Sequence, residues 1–175
     1  LAEPNIMSDQ WQLPDVILYP TGGGTGILGM WKAFDELEAL GMIGAERPKI
    51  IAVQSEATPP VKNAIDKNLF EPEATDAGKT LAVGLNVAGG VGHFKVVDIV
   101  KKSGGTSVAI SEQDIAQHLS HIWQEKHWWI CPEGAACLAA IDPLVEQGYI
   151  KSKDKVVVFN TGSFEKYLPE VRHLL

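Results

Sequence analysis

The sequence is short of cysteine, of positive charge and of long apolar runs. Two cysteines occur in 175 residues, Cys131 and Cys137, six positions apart in an apolar stretch. That is too few for the disulfide framework of a small secreted domain. They read instead as buried thiols, the usual state of free cysteine in a reducing cytoplasm. Lys and Arg number 15 against 22 Asp and Glu, a formal net charge of −7. The cations are scattered, so the basic footprint that holds nucleic acid is missing. The surplus of acid reads as a solubility feature. The longest apolar stretch, Trp128 to Ile141, is interrupted by Pro132 and Glu133, so no membrane span is expected. The opening Leu1-Ala2-Glu3-Pro4-Asn5 carries neither the basic nor the apolar region of a signal peptide. The first methionine is Met7. Gene products ordinarily start at methionine, so the chain is expected to be trimmed or to be a piece of something longer.

What is present is an ordinary globular composition, 45% hydrophobic and 21% charged, enough for one domain with a sizeable core. Five short apolar runs read as strands: Val16 to Tyr19, Lys49 to Val53, Ser107 to Ile110, Trp128 to Cys131 and Val156 to Phe159. Their apolar residues are continuous rather than alternating, which predicts burial on both faces. Between them lie helical patterns. Ile27, Met30, Trp31, Phe34, Leu37 and Leu40 recur at helical spacing, with Gly41 as a C-cap. Phe94 to Lys102 is closed by Gly104, and Ala135 to Gln147 by Gly148. Ser111-Glu112-Gln113-Asp114 opens a further helix as a capping box ahead of Ile115, Leu119 and Ile122. Strand and helix in alternation predict an α/β fold, a mostly parallel sheet in a three-layer α/β/α sandwich. The stretch 58–92, rich in Pro, Gly and Asn, is expected to wrap an edge or a cleft.

The strongest chemical signal is Tyr19-Pro20-Thr21-Gly22-Gly23-Gly24-Thr25-Gly26, set between a strand and an amphipathic helix. Consecutive glycines remove the Cβ atoms from a turn and let backbone N–H groups converge on an anion. The helix that follows adds its positive end. Such a loop lies at a strand carboxyl end, where open α/β sheets bind ligands. It has neither the Lys-Ser/Thr of a Walker loop nor the dinucleotide spacing. The plain alternative is a turn that needs glycine for steric reasons alone. Asn160-Thr161-Gly162-Ser163 follows the last strand and should face the same crevice, although it is also an ordinary turn composition. Glu133, in Cys131-Pro132-Glu133-Gly134, sits where a helix N-terminus alone would favour a carboxylate. His118, His121 and His127 lack the further ligands a zinc site requires and read as surface residues.

Taken together, these blocks resemble the C-terminal half of the threonine synthase family, pyridoxal-phosphate enzymes of the tryptophan-synthase-β type (fold type II). The matching stretches run in order from Leu13 to Gly26, through Gly84-Leu85-Asn86-Val87 and Gly89-Gly90-Val91-Gly92-His93-Phe94, to Ser103-Gly104-Gly105, Cys131-Pro132-Glu133-Gly134-Ala135-Ala136 and Phe159-Asn160-Thr161-Gly162-Ser163 with Lys166-Tyr167. The resemblance implies pyridoxal 5′-phosphate as cofactor. Gly22, Gly23, Gly24, Thr25 and Gly26 would bind its phosphate, Thr161 would face the pyridine nitrogen, and Glu133 would lie beside the ring in a supporting role. Residues 1–175 would form the C-terminal part of the cofactor-binding large domain.

One departure weighs against catalysis by this stretch alone. In the family the Schiff-base lysine lies upstream of the glycine loop, and no lysine precedes Gly22 here. Lys32 and Lys95 do not occupy its position. No catalytic residue is therefore assigned within the chain, and the N-terminal half that carries the lysine is the expected partner. For the parent enzyme the resemblance implies a phosphorylated amino-acid substrate: O-phospho-L-homoserine and water would give L-threonine and phosphate. Deamination of serine or threonine, or replacement of a β-substituent, is the alternative within the fold type. A non-catalytic α/β module that binds a phosphate ligand is the alternative of another class. The fold type is often a homodimer, and no metal is implied.

Overall fold

The computed structural model describes residues 1–4 and 10–174. Residues 5–9, Met7 among them, and Leu175 lie outside the described residues, so the reading of the opening segment is only partly covered. Four strands form a parallel sheet in the order β3-β2-β1-β4: β1 (Val16–Pro20), β2 (Lys49–Ser55), β3 (Thr106–Ile110) and β4 (Val156–Val158). Helices α1 (Thr25–Ala39), α2 (Pro60–Asp66) and α3 (His93–Lys102) fall between the first three strands. After β3 come α4 (Glu112–Lys126), α5 (Pro132–Ala139) and α6 (Ile141–Glu146), and α7 (Leu168–Val171) follows β4.

The unbroken apolar runs are explained by two cores, one on each side of the sheet. Ile17, Ile50 and Ala52 face α1, α2 and α3 through Ile27, Phe34, Val61, Val96 and Val100. Their strand neighbours Val16, Leu18, Ile51 and Val53 face the opposite way, onto Ile115, Leu119, Ala135 and Leu144 of α4, α5 and α6. Successive side chains alternate across a strand, so both faces must be apolar when both are covered. The α/β/α sandwich is thereby established.

Three expectations need correction. Trp128 to Cys131 is not a strand. Its amide at Cys131 donates to the Asn160 Oδ1 at 2.9 Å rather than to a ladder, and Trp129 packs on Trp123 and Phe164 with ring centroids 4.1 and 4.6 Å away. The stretch from 135 to 147 is two helices rather than one. The first starts earlier, at Pro132, and Ala140 ends it and begins α6. Pro143 has no N–H to donate to the carbonyl one turn back, which breaks the ladder there. Finally, β4 is half-buried rather than covered on both faces; it lies at one edge of the sheet, whereas β3 at the other edge is largely buried.

The irregular 58–92 stretch contains an unforeseen helix, α2, with proline at its start. A strand side chain caps it: the buried Gln54 Oε1 accepts the amides of Val61 and Lys62 at 2.9 and 3.0 Å. Farther along the stretch, Gly84 and Val87 lie against Gly22, just past the carboxyl end of β1.

Candidate functional site

Parallel pairing brings two strand ends together. Leu18 is the register partner of Val158, and the Phe159 amide donates to the Leu18 carbonyl at 3.1 Å. Tyr19 and Phe159 continue side by side, rings 5.0 Å apart. The turn at 160–163 therefore leaves the sheet beside the glycine loop, as the sequence reading expected. Thr21 anchors the loop's start: its amide donates to Val53 at 2.7 Å, its hydroxyl to Tyr19 at 2.8 Å, and its carbonyl accepts Gln54 Nε2 at 3.2 Å.

Beyond Thr21 the loop divides between steric and chemical reasons for glycine. Gly24 is the N-cap of α1 with φ +82, a left-handed conformation that other residues adopt at a cost. A Cβ there would also run into Val96 of α3. One on Gly22 would strike the Gly84 carbonyl oxygen, and one on Gly26 the Tyr19 hydroxyl. These three positions alone would support the purely steric reading. Gly23 differs, because a Cβ there would meet nothing within 4 Å. The N–H groups from Gly22 to Gly26 find no acceptor among the described residues. Nor does α1 have a side-chain cap. A helix start with open amides and an open α-carbon has the donors and the room that an anion cradle needs, and the residues present fit a phosphate-bearing cofactor on that ground.

Glu133 joins this site indirectly. It is buried, 3% exposed, in the first turn of α5. Its Oε1 accepts the Gly84 amide and the Tyr167 hydroxyl, each at 2.7 Å. Gly84 in turn lies against Gly22, so the carboxylate fixes a segment that borders the loop. Its Oε2 is buried with no partner among the described residues. Burial, and then the hydrogen bond to Glu133, push the Tyr167 hydroxyl above its ordinary value, so it stays a donor. Burial likewise raises the thiols of Cys131 and Cys137. Both are free, as expected, and protonated thiols are poor nucleophiles. Cys131 instead caps α5, its Sγ accepting the Gly134 amide at 3.4 Å.

Thr161 is exposed, three residues past β4, and its hydroxyl has no hydrogen bond to another described residue. Its neighbour Asn160 is committed to Cys131. Thr161 stands at the strand end beside the loop, but no direct bond joins them. Neither Lys32 nor Lys95 is engaged at the loop: Lys32 pairs with Glu36 on the exposed face of α1, and Lys95 lies over the Phe94 ring at 5.8 Å; Lys166 lies over the Tyr167 ring at 5.3 Å. His118 bonds the Asp114 carbonyl, and no cluster of metal-binding side chains occurs among the described residues. Two residues of the site were quoted as motif letters without a role, Tyr167 and His93. His93 connects Gly90 to Gly22; the glycine cluster around it was the available signal, since glycines mark close approach.

The family model described as pyridoxal-phosphate dependent enzyme matches residues 4–162. A threonine synthase from Methanocaldococcus jannaschii is 27% identical over 152 residues, which cover 87% of this chain and 37% of that protein. The chain thus spans little more than a third of that relative. Among solved structures, a fungal L-serine ammonia-lyase from Rhizomucor miehei superposes with a TM-score of 0.68 at 16% identity, over 91% of this chain and 51% of that one. Threonine synthase from Escherichia coli gives 0.67 at 15% identity, over 93% and 36%. At these identities the superpositions establish the fold.

Proposed function

The chain belongs to the pyridoxal-phosphate dependent enzyme family, and from that premise we propose that it is the C-terminal part of the cofactor-binding domain of a threonine synthase-like enzyme. The observation that carries this is the row of amides at Gly22 to Gly26 that find no acceptor among the described residues, around the open Gly23. These amides and the Thr25 hydroxyl hold the cofactor phosphate, with the start of α1 adding favourable charge. The Thr161 hydroxyl faces the pyridine nitrogen, and Glu133, through Gly84, steadies the wall of the site beside the ring. When bound, pyridoxal phosphate supplies the electron sink for chemistry at the substrate's carbons.

The lysine that carries the cofactor and moves protons is assigned to an upstream half, because Lys32 and Lys95 are engaged elsewhere. The stretch alone is inactive. The parent enzyme converts O-phospho-L-homoserine and water to L-threonine and phosphate in the cytoplasm, as a homodimer in keeping with its fold type. The sequence relatives named threonine synthase favour this reaction. The structural neighbours named ammonia-lyase and threonine deaminase keep deamination as the second reading.

Intact mass of the natural gene product is the first test. A mass well above that of 175 residues, with an upstream lysine that borohydride locks to pyridoxal phosphate, is expected. Phosphate release from phosphohomoserine then supports the synthase. Ammonia and a keto acid from threonine would replace it with the deaminase. A gene product no longer than this chain would sink the enzyme reading and leave a phosphate-ligand module.

A further inference from the structure

His93 is buried, 2% exposed, at the start of α3, and both its ring nitrogens are engaged. Nδ1 accepts the Gly90 amide at 3.1 Å. A backbone N–H can only donate, so the ring proton sits on Nε2. Nε2 therefore donates to the Gly22 carbonyl, at 2.7 Å. Glycine at position 90 makes room for the ring, since a Cβ there would lie 2.6 Å from Nε2.

The consequence falls on the next amide. No peptide bond among the described residues is cis, and in a planar trans peptide the carbonyl and the following N–H point in opposite directions. With the Gly22 carbonyl held by the imidazole, the Gly23 N–H aims away from His93, and no acceptor among the described residues meets it. We propose that His93 is a positioning residue that locks the Gly22–Gly23 peptide so that the Gly23 amide is presented to the cofactor phosphate. This rests on the phosphate reading of the glycine loop. His93 never touches the ligand in this role; it removes the peptide flip that would otherwise turn a carbonyl oxygen toward an anion.

The test uses the natural gene product and two probes, pyridoxal 5′-phosphate and pyridoxal, which lacks the phosphate. Equilibrium dissociation constants are measured for the wild type, His93→Asn and His93→Gln, with thermal midpoints recorded alongside. Wild type is expected to prefer the phosphorylated probe strongly. His93→Asn keeps an acceptor near Nδ1 but loses the donor to Gly22. It should bind pyridoxal phosphate about tenfold more weakly, with pyridoxal unchanged. The longer amide of Gln reaches the Nε2 position and should restore binding to within about threefold.

Equal losses for both probes, an unchanged ratio in the Asn variant, or failure of Gln to restore the ratio would each overturn the assignment of His93. A wild type without any preference for the phosphorylated probe would overturn the phosphate reading itself, and the role of His93 with it.

Discussion

A methyl group added at Gly23 meets no protein atom within 4 Å, and the residue's φ lies outside the left-handed region. Gly23→Ala should therefore raise stability by about 0.4–1 kcal/mol through the unfolded chain. The same methyl projects where the phosphate must approach, so cofactor affinity should fall. Gly24→Ala is expected to do the reverse to stability, costing about 1–2 kcal/mol or more for its left-handed backbone. Urea denaturation and cofactor titration on the pair separate steric from chemical glycine. Unchanged cofactor binding in Gly23→Ala would remove the phosphate from this loop. The glycines themselves were legible in the sequence; which of them packs on Gly84, Val96 or Tyr19 was not, because those partners lie far along the chain or across a turn.

Cys137 offers a pH test at the same scale. Burial first, then the charges of Cys131 and Glu133, push its thiol well above the ordinary value. A raised folded-state value means the protonated form is favoured by folding. Its stabilising contribution is complete below the ordinary thiol range, about pH 8.5, and is lost as pH rises from there toward the folded-state value. Stability should thus decline on the alkaline side, and Cys137→Ala should make that decline shallower while costing some packing. A variant whose alkaline limb is as steep as wild type would shift the cause to Cys131, Tyr19 and Tyr167, which are also raised by burial.

At the scale of elements, a local signal was read correctly where Ser111 acts on its own neighbourhood, whereas the local break at Pro143 was missed. Ser111 caps α4 as its spacing predicts: Oγ accepts the Asp114 amide at 3.1 Å and donates to the Asp114 carboxylate at 2.6 Å. Ser111→Ala should cost about 1 kcal/mol in urea denaturation. A cost near zero would mean that α4 is held by Ile115 and Leu119 alone. The same reasoning failed where a partner is remote. The start of α2 is capped by Gln54 from β2, which no local pattern announces. The run at 128–131 has strand composition, yet its aromatic rings find Trp123 and Phe164 instead of a neighbouring strand. Composition gives strand propensity, but pairing decides.

At the scale of the whole molecule, the two-sided core follows from continuous apolar strands, and the glycine loop and the 160–163 turn leave adjacent strands at their carboxyl ends, where the expected crevice would lie. Large apolar side chains lie open next to residues that border the glycine loop. Val83 is 57% and Val91 97% exposed, next to Gly84 and Gly90, the residues bonded to Glu133 and His93. Trp128 and Trp129 lie open as well, at 64% and 52%. Scattered apolar residues are ordinary on a surface; apolar residues flanking the very segments that border a cofactor site point to a covering partner. Under the proposed function, that partner is the upstream half of the enzyme. A dye that brightens on apolar surface should therefore respond more strongly to the 175-residue polypeptide than to an equal number of moles of the natural gene product. Lysine in place of Val83 or Val91 should lower the response of the short chain and leave the gene product's fluorescence unchanged. Equal brightness from the two, with no effect of either substitution, would mean that nothing packs over the crevice, and would favour the free-standing phosphate-ligand module over the enzyme.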